Sequence, residues 1–119
     1  MKKTLVLGAS DNSTRYAYLA IDRLLREGYE VAAVGKRETE ALGVKIQKGQ
    51  PALENIHTIT LYLNPNNQRQ HYDYILSLKP KRIIFNPGTE NAELEKLAKE
   101  NGIRVLEACT LVMLSAGQY

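Results

Sequence analysis

Thr4-Leu5-Val6-Leu7-Gly8-Ala9-Ser10-Asp11-Asn12-Ser13-Thr14-Arg15-Tyr16-Ala17 is an apolar run that stops at a glycine and passes into turn-forming residues. Leu5 to Leu7, short and continuous, reads as a strand buried on both faces. Gly8 lets the backbone turn tightly, because it carries no Cβ. Ser10, Asp11, Asn12, Ser13 and Thr14 supply turn and N-cap chemistry ahead of a helical pattern. Strand, glycine turn and helix N-terminus in that order make an anion site. Free N–H groups of the first helical turn and the helix dipole both point at it. The dinucleotide fingerprint G-x-G-x-x-G is met only in part: Gly8 stands first, Ser10 takes the second glycine's place, and Ala17 comes later than the third. An ordinary βα turn has the same outline; its place at the head of an α/β chain favours phosphate.

Outward from this stretch the chain alternates. Tyr16, Leu19, Ala20, Leu24 and Leu25 recur at helical spacing, and Gly28 closes that helix. Glu30 to Gly35 is a second buried strand, so a right-handed βαβ unit fills the first third. Glu38 to Leu42 reads as a helical turn stopped by Gly43, and Val44-Lys45-Ile46 as a short extended piece. Gln50 to Asn55 reads as a turn of helix begun by Pro51. Residues 57–63 make the third strand, rich in β-branched and apolar side chains. The turn Asn64-Pro65-Asn66-Asn67 leads to a helix with Tyr72, Ile75, Leu76 and Leu78 inward. Residues 82–85 form the fourth strand, followed by Asn86-Pro87-Gly88-Thr89 and a helix striped by Leu94, Leu97 and Ala98. Gly102 ends it, residues 103–107 form the fifth strand, and the apolar tail makes a last helical turn.

This pattern predicts one α/β domain over residues 1–119: a Rossmann-like three-layer fold with a five-stranded parallel sheet. The expected strand order is 3-2-1-4-5, with a ligand in the crevice beyond the carboxyl ends of the strands. The loops at Gly8, Gly35, Asn64 and Asn86 would share that rim.

The 119 residues carry a formal charge of +3 and 44% hydrophobic residues, an ordinary globular balance. Lysines and arginines are scattered rather than gathered with aromatics, which speaks against nucleic acid and for a small anionic ligand. No run is long enough for a membrane span. The single cysteine, Cys109, excludes an internal disulfide and suits a reducing compartment, so a cytoplasmic location is expected. Nothing in the sequence identifies a protein partner.

The end of the second strand discriminates most. An NAD site places an acidic side chain there for the ribose hydroxyl. This chain has Gly35-Lys36-Arg37, which attracts an extra phosphate instead. NADP, with its 2′-phosphate, and coenzyme A, with its 3′-phosphate, both fit. Glu38 is expected to turn outward. Catalytic candidates are few: His57 and His71 read as surface residues, Cys109 as a small buried one, and Glu90 and Glu107 as solvated. Paired carboxylates, metal-ligand spacings and a nucleophile elbow are absent, so no enzymatic activity is expected.

Several segments carry a resemblance to a known family. They are Gly8-Ala9-Ser10 with Asn12 and Tyr16, Gly28-Tyr29-Glu30-Val31 before Val34, and Gly43 with Pro51-Ala52-Leu53. Asn86 to Asn91 and Gly102-Ile103 through Cys109 complete the set. In order and spacing the chain resembles the small CoA-binding proteins of Rossmann type, related to the CoA-binding domain of the succinyl-CoA synthetase α subunit. It departs from their pattern at Gly35-Lys36, where Asn-Pro is common, at Ala17, at Asn86-Pro87-Gly88 and at Thr110.

The resemblance implies CoA held by the first loop, the basic loop and the loops after strands three and four. Backbone N–H groups of Ala9 to Ser13 and the Ser10 hydroxyl would hold the pyrophosphate, with Tyr16 alongside. Lys36 and Arg37 would meet the ribose phosphate. Asn64-Pro65 and Asn86-Pro87-Gly88 would border the pantetheine. The other readings are an NADP-dependent oxidoreductase-like domain, with NADP as cofactor, and a regulatory or interaction subunit using the apolar tail Leu111 to Leu114.

Overall fold

Leu5, Val6 and Leu7 lie at the centre of the molecule, none more than 1% exposed. They belong to β1 (Thr4–Ala9), which is paired on both sides by parallel neighbours. The computed structural model describes residues 2–119. After β1 come α1 (Tyr16–Arg26), β2 (Val31–Gly35), β3 (Thr39–Ala41), β4 (Val44–Lys48) and β5 (Thr58–Leu61). They are followed by α2 (Pro65–Gln68), a 3-10 turn (Arg69–His71), α3 (Tyr72–Ser77) and β6 (Arg82–Phe85). The remaining elements are α4 (Ala92–Glu100), β7 (Arg104–Glu107) and α5 (Thr110–Ser115).

The α/β expectation holds, but the sheet has seven strands rather than five, in the order β3-β4-β2-β1-β5-β6-β7. All pairings are parallel except β3 with β4. The doubly wound pattern survives with a different occupant. The place beside β2 is taken by β4, whereas the strand expected third, now Thr58–Leu61, pairs with β1 on the other side. Residues 36–43 are too few for a crossover helix. They run instead down the sheet edge as β3, where a helical turn was expected, and reverse at Leu42-Gly43. Those two residues have φ of 55° and 81°, the left-handed pair of a two-residue hairpin.

The chain then crosses the sheet from β4 to β5. Residues 50–57 carry no regular structure, so the helical turn expected at Gln50 to Asn55 is not formed. Ile56 and the partly buried Leu53 pin this crossing to the core, and the Tyr74 hydroxyl donates to the Pro51 carbonyl at 2.6 Å. Buried apolar contacts thus replace a helix as the cover here.

Alternation along the strands makes two cores. Leu5, Leu7, Ile59, Leu61, Ile83 and Phe85 face α3 and α4 through Tyr74, Ile75, Leu94 and Ala98. Val6, Ala33 and Ile84 face α1 and α5 through Ala17, Ile21, Leu24, Met113 and Leu114. At the amino edge of the strands Arg82 is only 5% exposed. Its Nε donates to Thr58 Oγ1 at 2.8 Å and its guanidinium lies 4.4 Å from the Tyr119 ring centroid. The Tyr119 hydroxyl in turn bonds the Thr4 hydroxyl. Among the described residues no helix is long and apolar enough to cross a membrane.

Candidate functional site

The carboxyl edge is built around a bulge in β1. Leu7 pairs with Val34 and Ala9 with Gly35, which leaves Gly8 as the extra residue. Gly8 has φ of 97°, and a Cβ on it would stand 2.8 Å from the Tyr62 carbonyl carbon. At Gly35 a Cβ would stand 2.4 Å from the Ala9 oxygen. The ends of β1, β2 and β5 therefore meet at backbone distance, and only the absence of two side chains permits it.

Above this junction lies an open cavity of about 530 Å³. Gly8, Ala9, Ser10, Asp11, Arg15 and Tyr16 line it from the first loop and α1. Lys36 and Arg37 line it from the β2–β3 connection, Thr39 from the start of β3, Tyr62, Leu63 and Asn64 from the loop after β5, and Asn67 from α2. Pro87, Gly88 and Thr89 close it from the loop after β6. The four loops expected at one rim are thus brought together.

Among the described residues nothing accepts from the N–H groups of Ser10, Asp11 or Ser13, and free donors continue beyond the stretch the sequence placed them in. Residues 10–15 bond among themselves: Asn12 N donates to Ser10 Oγ at 3.0 Å, and Thr14 N to Asn12 Oδ1 at 3.0 Å. Arg15 N donates to the Asn12 carbonyl at 3.0 Å. Asn12 and Ser13 consequently face away from the cavity, and the helix starts only at Tyr16. Its N-cap, Arg15, has extended backbone and makes no side-chain cap bond. Among the described residues nothing accepts from the N–H groups of Tyr16, Ala17 or Tyr18. Those three donors, aligned with the α1 dipole and beside the Arg15 side chain, form the exposed cradle. Tyr16, 71% exposed, stands over it.

The cationic wall is also arranged differently. Arg37 Nη2 donates to Asp11 Oδ1 at 2.8 Å, and Thr39 Oγ1 to Asp11 Oδ2 at 2.9 Å. Lys36 forms no ion pair with a described residue. Glu38 is exposed and outside the cavity lining, as expected, and accepts from the backbone N–H of Lys48.

At the other end two expected contacts prove structural. Asn86 is 3% exposed; its Nδ2 donates to Thr60 Oγ1 and the Leu61 carbonyl, and its Oδ1 accepts from Thr110 N at 2.9 Å. It ties β5, β6 and α5 together beneath the loop it was expected to present. Pro65 opens α2 behind the wall, with Asn64 Oδ1 capping that helix at Asn67 N. Gln68, fully buried, joins the two loops by donating to the Leu63 and Thr89 carbonyls, each at 2.8 Å. Nothing in its sequence context distinguishes this glutamine from its exposed neighbours.

Tyr62 was also missed. It lines the cavity, whereas its hydroxyl is buried beside Thr60 and Thr110 with no partner in hydrogen-bonding geometry. Burial pushes its pKa up to about 12, the adjacent Thr60 opposing. Neither histidine faces the cavity, and burial lowers the pKa of both, with Arg82 adding to the effect at His57. Glu107 lies away from it beside Glu95, whose carboxyl is pushed up by burial and by that neighbour. Cys109 is half-buried at the start of α5, outside the wall. Among the described residues no group of three His, Cys, Asp or Glu could hold a metal.

The wall thus carries three uncapped N–H donors, Arg15 and Lys36 at one end, and small and amide side chains at the other. A family model described as CoA binding domain matches residues 2–115. A crystal structure of an uncharacterized protein is 57% identical, with a TM-score of 0.97 over 100% of this chain and 98% of that one. A protein from Thermus thermophilus, cell-free ID.343, is 25% identical, with a TM-score of 0.86 over 99% and 90%. An acetyl-coenzyme A synthetase of Ca. Korarchaeum cryptofilum shares the fold at 20% identity and a TM-score of 0.72, over 90% of this chain and 25% of its own. No curated protein matches.

Proposed function

The chain belongs to the CoA binding domain family, and from that premise we propose that it holds coenzyme A, free or acylated, along the carboxyl edge of the sheet without chemistry of its own. The observation that carries this reading is the uncapped N-terminus of α1 at the middle of a single cavity. The pyrophosphate sits at the N–H groups of Tyr16 to Tyr18, assisted by Arg15 and the Ser10 hydroxyl. Lys36 and Arg37 lie toward the ribose phosphate. Asn64, Asn67 and Pro87 to Thr89 flank the pantetheine, whose amides find polar partners there.

Absence of catalysis is the reading that the wall itself supports. Proton transfer needs a positioned acid or base near the bound atoms. His57 and His71 lie elsewhere, and the cavity's one carboxylate, Asp11, is already engaged by Arg37 and Thr39. The same cations would serve the 2′-phosphate of NADP, which keeps that cofactor as the second reading. The interaction-subunit reading loses most of its surface, since Met113 and Leu114 are buried and only Val112 of that tail is largely exposed.

Mass spectrometry of the ligand released from denatured protein tests the assignment. A CoA species is the expected outcome. Recovery of NADP, or calorimetric titration in which NADP binds more tightly than CoA, would replace it with the second reading.

A further inference from the structure

One side chain in the cavity has the wrong charge for a polyanion. Asp11 lies in the first loop, yet its carboxylate reaches the end of β2, where both oxygens are held by residues of the basic connection. Its side chain is 29% exposed and that of its partner Arg37 is 73% exposed, so the pair stands at the mouth of the cavity rather than in its floor. Lys36, next in sequence and lining the same wall, has no such partner among the described residues.

We propose that Asp11 determines specificity at the ribose end of the site by cancelling the charge of Arg37, so that Lys36 alone separates a phosphorylated from an unphosphorylated ribose. The inference rests on the CoA reading and adds to it a residue that weakens the preference it describes. A phosphate approaching Arg37 also approaches Asp11. Attraction and repulsion act over similar distances in the same solvent-exposed setting, so the sum of charges decides. The carboxylate is therefore a brake on phosphate selectivity. A positioning role for Asp11 makes the opposite forecast, because an Arg37 released from its carboxylate would then lose the phosphate.

The experiment compares dephospho-CoA with CoA by calorimetry, taking the ratio of their dissociation constants at low salt. Four proteins are used: wild type, Asp11→Asn, Arg37→Ala and the double variant. Asp11→Asn is expected to raise the ratio about threefold or more, a Coulomb effect between groups in water. Arg37→Ala should lower it, and the double variant, whose net charge equals that of wild type, should return close to the wild-type ratio. Added salt should compress the series. If Asp11→Asn drops to the level of Arg37→Ala, Asp11 positions the arginine and the proposal is overturned. An unchanged ratio in Asp11→Asn overturns it equally, the pair being merely solvated. Both of those results leave CoA binding intact, whereas a wild type that takes up neither ligand removes the CoA reading itself. Both positions are at the surface, and melting curves establish that each variant folds.

Discussion

Gly8 and Ser10 stand two residues apart and are expected to fail in different ways. A side chain at Gly8 meets the Tyr62 backbone at 2.8 Å, in a conformation that L residues rarely adopt. Gly8→Val should therefore lose soluble protein. Ser10→Leu should keep the fold and lose CoA, since Ser10 lines the cavity and only the Asn12 N–H bond depends on its hydroxyl. Circular dichroism and calorimetry on the pair separate the two effects. Tyr62 makes a third case. An unpartnered buried hydroxyl costs roughly 1–3 kcal/mol, so Tyr62→Phe should raise the melting temperature at neutral pH. Its folded pKa near 12 exceeds the ordinary value of 10. Stability from this group is whole below pH 10 and is lost as pH rises through 12. The phenylalanine variant should unfold less steeply over that window, as followed by melting at stepped pH. A lower melting temperature at neutral pH would show the hydroxyl to be satisfied.

At the scale of elements, α1 exchanges helix stability for an empty N-terminus. Arg15 occupies the cap position that serine or aspartate usually fills. Arg15→Asp should stabilise the chain by about 0.5–2 kcal/mol through a new cap. The same carboxylate would stand in the cradle and should weaken CoA by more than tenfold, whereas Arg15→Ser should weaken it less. A melt and a titration on each variant read both quantities, and undiminished binding in Arg15→Asp would move the pyrophosphate elsewhere. Elements also mark how far the sequence could be read. β1, α1, β2 and α4 were legible because each has a continuous apolar run or a helical stripe with a clear glycine stop. The β3–β4 hairpin was legible only as the extended piece Val44 to Ile46: neither strand has a continuous apolar run, and Leu42 takes a positive φ that leucine does not advertise. Reading Val44 to Ile46 as an extended piece outside the sheet also displaced the third strand, which was then given the place beside β2 that β4 occupies. Of the residues that line the cavity, Gly8, Ser10, Lys36 and Asn64 were reached from local chemistry. Asp11 and Gln68 act through partners distant in sequence, Arg15 matters by its place at the N-cap of α1 and Tyr62 by its burial, and no local pattern discloses these.

At the scale of the molecule, binding and stability are linked. A ligand that engages only the folded chain stabilises it by about 2.7 kcal/mol at a hundredfold excess over its dissociation constant. CoA should therefore raise the melting temperature more than NAD does, because Arg15 and Lys36 await phosphate and no β2 carboxylate awaits a ribose diol. Equal shifts, or none, would count against the assignment.

The contact between Thr4 and Tyr119 joins positions 115 apart in the chain, and it covers an arginine that is otherwise sealed from water. Arg82 keeps one open side until Tyr119 has docked. Partly folded intermediates in which the sheet has formed but this segment has not packed therefore carry a wet, charged gap at the amino edge. Closing that gap ties the docking of Tyr119 to the same cooperative transition that completes the sheet.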